Sequence, residues 1–237
     1  MTSFFHVLNA NRLLTELPTV ERDGFMAVCE NVELSFGEVL FQPTETITHA
    51  YFPIDSFISL IVVLDSDNRL EVAMAGREGM LGSSLVLGIE ETPLLALVQG
   101  AGSALRITAE NFQQLLLCSP VLHQRLKRYI YVVMKQLATS AACNHFHRIE
   151  GRLARWLLMT QDRAGSDQLN LTHEFLAMML GVRRAGITLA AIALQARGLI
   201  RYQRGTITVL DRLGLIEASC ECYNEDCALY AKMLPVL

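Results

Sequence analysis

"LTHEFLAMMLGVRRAGITLAAIALQARGLIRYQRGTITVLD", Leu171 to Asp211, decides the fold. Thr172 stands before an apolar run as a helix N-cap, with Glu174 in the first turn, where an acid favours the helix dipole. Phe175, Leu176, Met179 and Leu180 supply a buried face, and Gly181 sits where the chain must turn. A second helix is predicted from Arg183 to Arg197, closed by Gly198, and "LIRYQRGTITVL" gives two short strands around Arg204-Gly205. Helix, glycine turn, helix and hairpin form the order of a winged helix-turn-helix, whose second helix enters the DNA major groove with its N-terminal residues on base edges. Arg183 and Arg184 occupy those positions, and a bidentate arginine–guanine contact is worth roughly 1–3 kcal/mol of base discrimination. Ala185 and Gly186 follow, although glycine inside a helix costs about 1 kcal/mol relative to alanine. Either the backbone must lie close to DNA there or Gly186 serves close helix–helix packing.

Outward from this stretch, charge supports a polyanion partner. The 237-residue chain carries a formal charge of −4, but unevenly. Residues 145–212 hold 10 arginines, no lysine and 5 acids, whereas residues 1–144 hold 9 basic residues against 15 acids. A basic block of this kind is the footprint of a polyanion-binding region, or else a solvated charged face. With 51% hydrophobic and 19% charged residues the chain can build a substantial core. No apolar run reaches the roughly 18 residues of a membrane span, and the first residues lack a basic leader, so a cytoplasmic protein without membrane contact is expected. The six cysteines are expected as free thiols.

From about Val32 to Ile107 the sequence reads as short strands broken by turns at Gly37, Pro43, Pro53, Asp65–Asn68, Gly76, Gly79, Gly82, Gly100 and Gly102, a pattern of sandwiches and barrels. Ala109 to Leu117 is predicted as a short helix. Ser119-Pro120 then makes a helix start, with Ser119 as N-cap and Pro120 at the first helical position. The helix that follows places apolar residues at 122, 126, 129/130, 133, 137 and 140/141. Such a stripe meets its own copy in a dimer or packs on the chain's own barrel. A helix over His147–Gln161 and a polar linker, "DRAGSDQLN", lead into the opening stretch.

Leu171–Asp211 closely resembles the DNA-binding domain of the Crp/Fnr superfamily of bacterial transcription regulators. The strand-rich part resembles that family's cyclic-nucleotide-binding-type jelly-roll, the helix from Ser119 its dimerisation helix, and "NHFHRIEGRLARWLL" the helix that opens its DNA-binding domain. The resemblance implies an α+β chain with a sensor domain at 1–118, a dimerisation helix and hinge at 119–146, and a winged helix-turn-helix domain at 147–237. It implies a homodimer on a palindromic site in double-stranded DNA, with half-sites about one turn (~34 Å) apart, a small-molecule effector, and RNA polymerase as a further partner. Arg184 falls where the family commonly has a base-reading arginine; Arg183 stands where a small polar residue is usual. Ala185 and Leu189 replace residues that many members use, so the base-reading set differs. Thr172, Thr188, Arg201, Arg204 and Thr206 are candidate phosphate contacts or else local caps and solvated residues.

The effector positions depart from the family. Its nucleotide pocket uses a glutamate after a glycine for the ribose and an arginine for the phosphate. Here Gly79 is followed by Met80, and Thr92 or Pro93 stands at the arginine position, just after Glu90 and Glu91. A phosphodiester there would lack its main charge-assisted partner. Arg77 and Glu78, two residues early, complete the candidate pocket with Gly79, Met80 and Thr92, and the expected effector is not a cyclic nucleotide. Cys29 alone cannot hold an iron–sulfur cluster, and His6, His49 and His123 are isolated as haem ligands. "CNHFH" sets Cys143 and His147 one helical turn apart with His145 between, which is half a metal site unless a dimer mate supplies the rest. "CECYNEDC" offers Cys220, Cys222 and Cys227 without paired CxxC spacing. Either set would serve a metal- or thiol-redox-sensing regulator; no metal ligand and no cofactor is assigned. Without a nucleophile–base pair, phosphate loop or carboxylate pair at meaningful spacing, no enzyme is expected.

Overall fold

In the computed structural model, residues 11–65 and 68–235 are described; the leader reading and His6 lie outside them. The chain divides into two units, residues 1–61, 73–134 and 229–237, and residues 62–72 and 135–228.

In the first unit the turn residues break the chain into the strands the sequence predicts: β1 (Glu30–Leu34), β2 (Val39–Phe41), β3 (His49–Pro53), β4 (Phe57–Val63), β5 (Arg69–Ala75), β6 (Leu95–Gly100) and β7 (Gly102–Thr108). β4 and β5 run on into the second unit. One sheet has the order β1-β7-β3 and the other β2-β6-β4-β5. Leu34, Phe52 and Leu105 from the first sheet and Phe41, Ile58 and Val98 from the second share one core. Burying each large apolar side chain contributes about 1.5–3 kcal/mol. Gly100 is needed for packing: it pairs with Phe57 on β4, and a Cβ there would strike the Phe57 ring. A helix upstream of the predicted strands, α1 (Thr19–Val28), adds Phe25, edge-on to Phe52 at 5.0 Å.

The short helix forms as α2 (Ala109–Cys118), with Thr108 Oγ1 accepting from the Asn111 N–H. The long helix, α3, starts at Pro120 as predicted and runs to Phe146, and the carbonyl of Ser119 accepts its first bond, from His123 N at 3.0 Å. The side-chain acceptor for its first N–H groups comes from Glu21 of α1, which accepts from Val121 and Leu122 at 3.1 and 2.9 Å. A carboxylate suits this end of the helix dipole better than a hydroxyl does. The single apolar stripe also divides. Leu122, Leu126, Tyr129 and Val132 are buried and, with Gln136, Thr139 and Cys143, make one face turned inward. Tyr131, Met134 and Leu137 lie exposed on another face, beside half-buried Ile130 and exposed Ala138 and Ala141. Leu122 and Leu126 thus pack on the barrel's own core, the second of the two expectations for the stripe, and the apolar face that stays exposed is rotated from it.

The second unit is built on α4 (Ile149–Ala164), with Leu153, Leu157 and Leu158 buried. The helix-turn-helix follows as α5 (His173–Leu180) and α6 (Arg184–Ala196), bent by 109°, within the range of such motifs. Gly181 holds the turn at φ +61°, where an L side chain is strained. Arg204 and Gly205 both take positive φ and join β9 (Ile200–Gln203) to β10 (Thr206–Val209). The predicted linker contributes a third wing strand, β8 (Gln168–Asn170), in the order β8-β10-β9. Two helices not predicted from sequence close the chain, α7 (Arg212–Ala218) and α8 (Cys222–Met233). Among the described residues, no single helix is long and apolar enough to cross a membrane.

Candidate nucleic-acid interface

The basic block separates into two sets of arginines. Five are committed inside the second unit. Arg152 donates to the Leu180 carbonyl and to Asn144, closing the C-terminal end of α5. Arg155 pairs with buried Asp226 at 2.8 Å, and Arg163 donates to Met159 O. Arg197 pairs with Glu150 at 3.1 Å, and Arg212 ties Asp162, Gln161 and Tyr223 together. The other five, Arg148, Arg183, Arg184, Arg201 and Arg204, are exposed with no carboxylate partner among the described residues. An unpaired, hydrated guanidinium costs the fold little and is available to an external anion.

Arg183 is the N-cap residue of α6 and Arg184 its first helical residue. Ile187, Ala190, Ala191 and Leu194 turn inward, which leaves Arg184, Ala185, Leu189 and Ile192 on the exposed face and Thr188 half-buried. The N–H groups of Arg184 and Ala185 precede the first intrahelical bond, the usual place for an anion. Ala185 keeps that approach open. Gly186 differs, because a Cβ there would lie 2.8 Å from Ile149 Cδ1 on α4. The contact supports the packing explanation: a larger residue at Gly186 would have to displace the terminal methyl of Ile149.

The candidate phosphate contacts fare unequally. Arg201 and Arg204 stand exposed on the wing. Thr172 caps α5, its hydroxyl accepting from Phe175 N at 3.1 Å. Thr188 donates to Arg184 O at 3.1 Å and meets His173 Nδ1 at 3.0 Å, while the His173 ring stacks on Tyr202 with centroids 4.1 Å apart. This chain of contacts couples α5, α6 and the wing. Burial and the charge of Arg184 hold the His173 pKa below the usual histidine range, so the stack is a neutral one at neutral pH. Thr206 meets Asn170 at 3.2 Å across the wing. Sequence alone does not single out His173 and Tyr202, because only the tertiary fold stacks them.

The candidate effector residues are bound into the first unit. Gly79 lies so close under the buried Tyr129 ring that a Cβ would collide with it. Asn11 Nδ2 donates to the Gly79 carbonyl at 2.9 Å, and Tyr129 donates to the Met80 carbonyl at 3.1 Å. The Met80 side chain is part of the core. Glu78 accepts from Gly76 N, and Thr92 Oγ1 accepts from Leu94 N, so both close local turns. Arg77 alone is exposed.

Of the two cysteine sets weighed as alternatives, the fold joins members of both. Cys143, His147, Cys220 and Cys222 converge, whereas His145 and Cys227 are exposed outside the group. His49 pairs with neighbouring Thr48 at 2.9 Å, and Cys29 lies beside Met26.

Residues 151–218 match the Crp-like helix-turn-helix domain family. A comparison with curated proteins finds no match. Among solved structures, the c-di-GMP-responsive global regulator CLP of Xanthomonas campestris is 19% identical with a TM-score of 0.67, over 81% of this chain and 99% of its own. FixK2 from Bradyrhizobium japonicum is 14% identical at the same TM-score, over 81% and 98%. A CRP-family transcriptional regulator from Thermus thermophilus is 15% identical at 0.64, over 81% and 99%. The resemblance drawn from Leu171–Asp211 therefore holds: this chain has the fold of the Crp/Fnr transcription regulators and carries a Crp-like helix-turn-helix domain at residues 151–218.

Proposed function

We propose that the protein is a transcription regulator that binds a palindromic site in double-stranded DNA as a homodimer. The observation that carries this reading is the division of the arginines. Five are used up by the fold, and five have no carboxylate partner among the described residues, two of them at the start of α6 and two on the wing. In this reading Arg184 reads a guanine, Arg183 reaches a base or the backbone, and Arg201 and Arg204 hold phosphates. Exposed Leu189 and Ile192 favour apolar contact with thymine methyl groups over hydrogen-bonded readout. The exposed face with Tyr131, Met134 and Leu137 on α3 is the surface on which a second copy would pack.

The effector, on this reading, is not a cyclic nucleotide: Met80 is committed to the core and Thr92 to a local turn, where the family pocket needs a carboxylate and a guanidinium. Regulation is a population shift at the hinge, residues 144–148, that resets the spacing of the two recognition helices. RNA polymerase is the further partner such a regulator would engage. Selection of bound fragments from random DNA tests the proposal. A two-fold-symmetric site with half-sites one helical turn apart is expected; recovery of asymmetric or unrelated fragments would overturn it.

A further inference from the structure

We propose that Cys143, His147, Cys220 and Cys222 form a four-coordinate site for a zinc-class divalent ion within each chain. Their ligand atoms all lie within 4.8 Å of one another. A tetrahedral zinc ion bound at about 2.3 Å to sulfur and 2.0–2.1 Å to nitrogen requires S···S and S···N separations of about 3.8 and 3.6 Å. Cys143 Sγ lies 3.5 Å from Cys220 Sγ, and Cys222 Sγ lies 3.6 Å from His147 Nδ1. Small side-chain rotations bring the rest into range. Three sulfurs and one imidazole are also the ligand types that select zinc, and four protein ligands leave no open position, as in structural sites.

The surroundings suit such a site. The bond from His147 N to Cys143 O, 3.1 Å, carries the helical turn past the end of α3 and puts both side chains on one face. Cys220 follows α7, and its N–H donates to Gly151 O at 3.4 Å. A Cβ on Gly151 would press on that nitrogen at 3.3 Å. Cys222 opens α8. His147 Nε2 meets Glu221 Oε1 at 3.1 Å, the carboxylate partner that orients a metal-bound imidazole. Zinc with three thiolates and a neutral imidazole carries one net negative charge. Arg152 and Arg155, both buried, act electrostatically on Cys143 and Cys220 and balance it. Loading releases three protons in total from the cysteine and histidine ligands, with no change of oxidation state. The ion would tie the hinge at the end of α3 to the start of α8.

Elemental analysis of the full chain, purified under reducing conditions without added metal, is expected to find about one zinc per protomer. After chelation, Co²⁺ added alone is expected to give the intense visible bands and near-ultraviolet charge transfer of a tetrahedral thiolate site. Cys222→Ser and His147→Ala should each weaken or abolish these bands, whereas Cys227→Ser and Cys29→Ser should leave them unchanged. Circular dichroism separates loss of the site from loss of the fold in each variant. A folded protein that takes up neither zinc nor Co²⁺, or bands that persist in the Cys222→Ser, His147→Ala double variant, would overturn the proposal. So would stoichiometric copper, or peptide mapping that finds Cys143 and Cys220 joined as a disulfide in anaerobically purified protein.

Discussion

In the first unit, Gly79 and Met80 at the candidate effector positions are spent on packing; in the second, the arginines proposed to read DNA are left unspent. Met80 lies in the barrel core and Gly79 makes room for Tyr129, whereas Arg183 and Arg184 face solvent with no carboxylate partner among the described residues. An internal partner marks a side chain as structural. A charged group with none is the stronger candidate for outside contact. The difference also appears within one residue type, because Arg155 and Arg184 belong to one basic block and only the first is committed to the fold.

The largest expected effect tests the committed set. Asp226→Ala removes the one carboxylate that pairs with Arg155 among the described residues and leaves its guanidinium buried. Breaking a buried pair in this way costs about 3–5 kcal/mol. Chemical denaturation should show that loss. The outcome that would break the comparison is a variant as stable as the parent, since Arg155 would then be as free as Arg184.

Next comes Gly79→Val. The new side chain collides with Tyr129, and overpacking a filled core costs about 1–3 kcal/mol. A variant that keeps its stability would mean that the site is open after all, and the contrast between the two units would fail there.

Arg184→Ala should reverse the pattern, with stability within about 0.5 kcal/mol of the parent, as for surface changes generally. Operator affinity should fall by roughly 5- to 150-fold, and only for sites that keep the guanine it reads. Gel-shift titration at fixed salt against matched operators measures both. An equal loss on all sequences would move Arg184 to the phosphate-holding set.

How far these assignments were legible in the sequence follows the same line. Local signals were readable: the Thr172 cap, Gly181 and the Arg204-Gly205 turn depend on residues close in the chain. The strands between Val32 and Ile107 were readable because turn residues interrupt them. Features that depend on distant partners were not. Glu21 reaches the first N–H groups of α3 from about a hundred residues upstream, which the Ser119-Pro120 start does not reveal. The α3 stripe split because hydrophobic spacing gives a face but does not say which neighbour covers it. Gly186 has two readings in the sequence, and the packing one depends on Ile149, which lies on another helix. The cysteine cluster is the extreme case, since its two halves lie more than seventy residues apart and neither has a strong spacing motif.

The smallest effect concerns the wing, where Arg204 sits at positive φ in the turn between β9 and β10. Its side chain is exposed and pairs with no carboxylate among the described residues. Arg204→Asn keeps a residue that tolerates this backbone region and removes the charge. Stability should therefore stay level or rise slightly, while affinity falls to a similar degree on every sequence. The sharper readout is the dependence of binding on salt, because a protein that neutralises one phosphate fewer displaces fewer counterions from the DNA. The slope of log K against log salt should become shallower by about 1. A sequence-selective loss with an unchanged slope would place Arg204 on a base edge, and the wing would then share in readout with Arg184. An unchanged affinity and slope would remove Arg204 from the phosphate-holding set and leave the wing's share to Arg201.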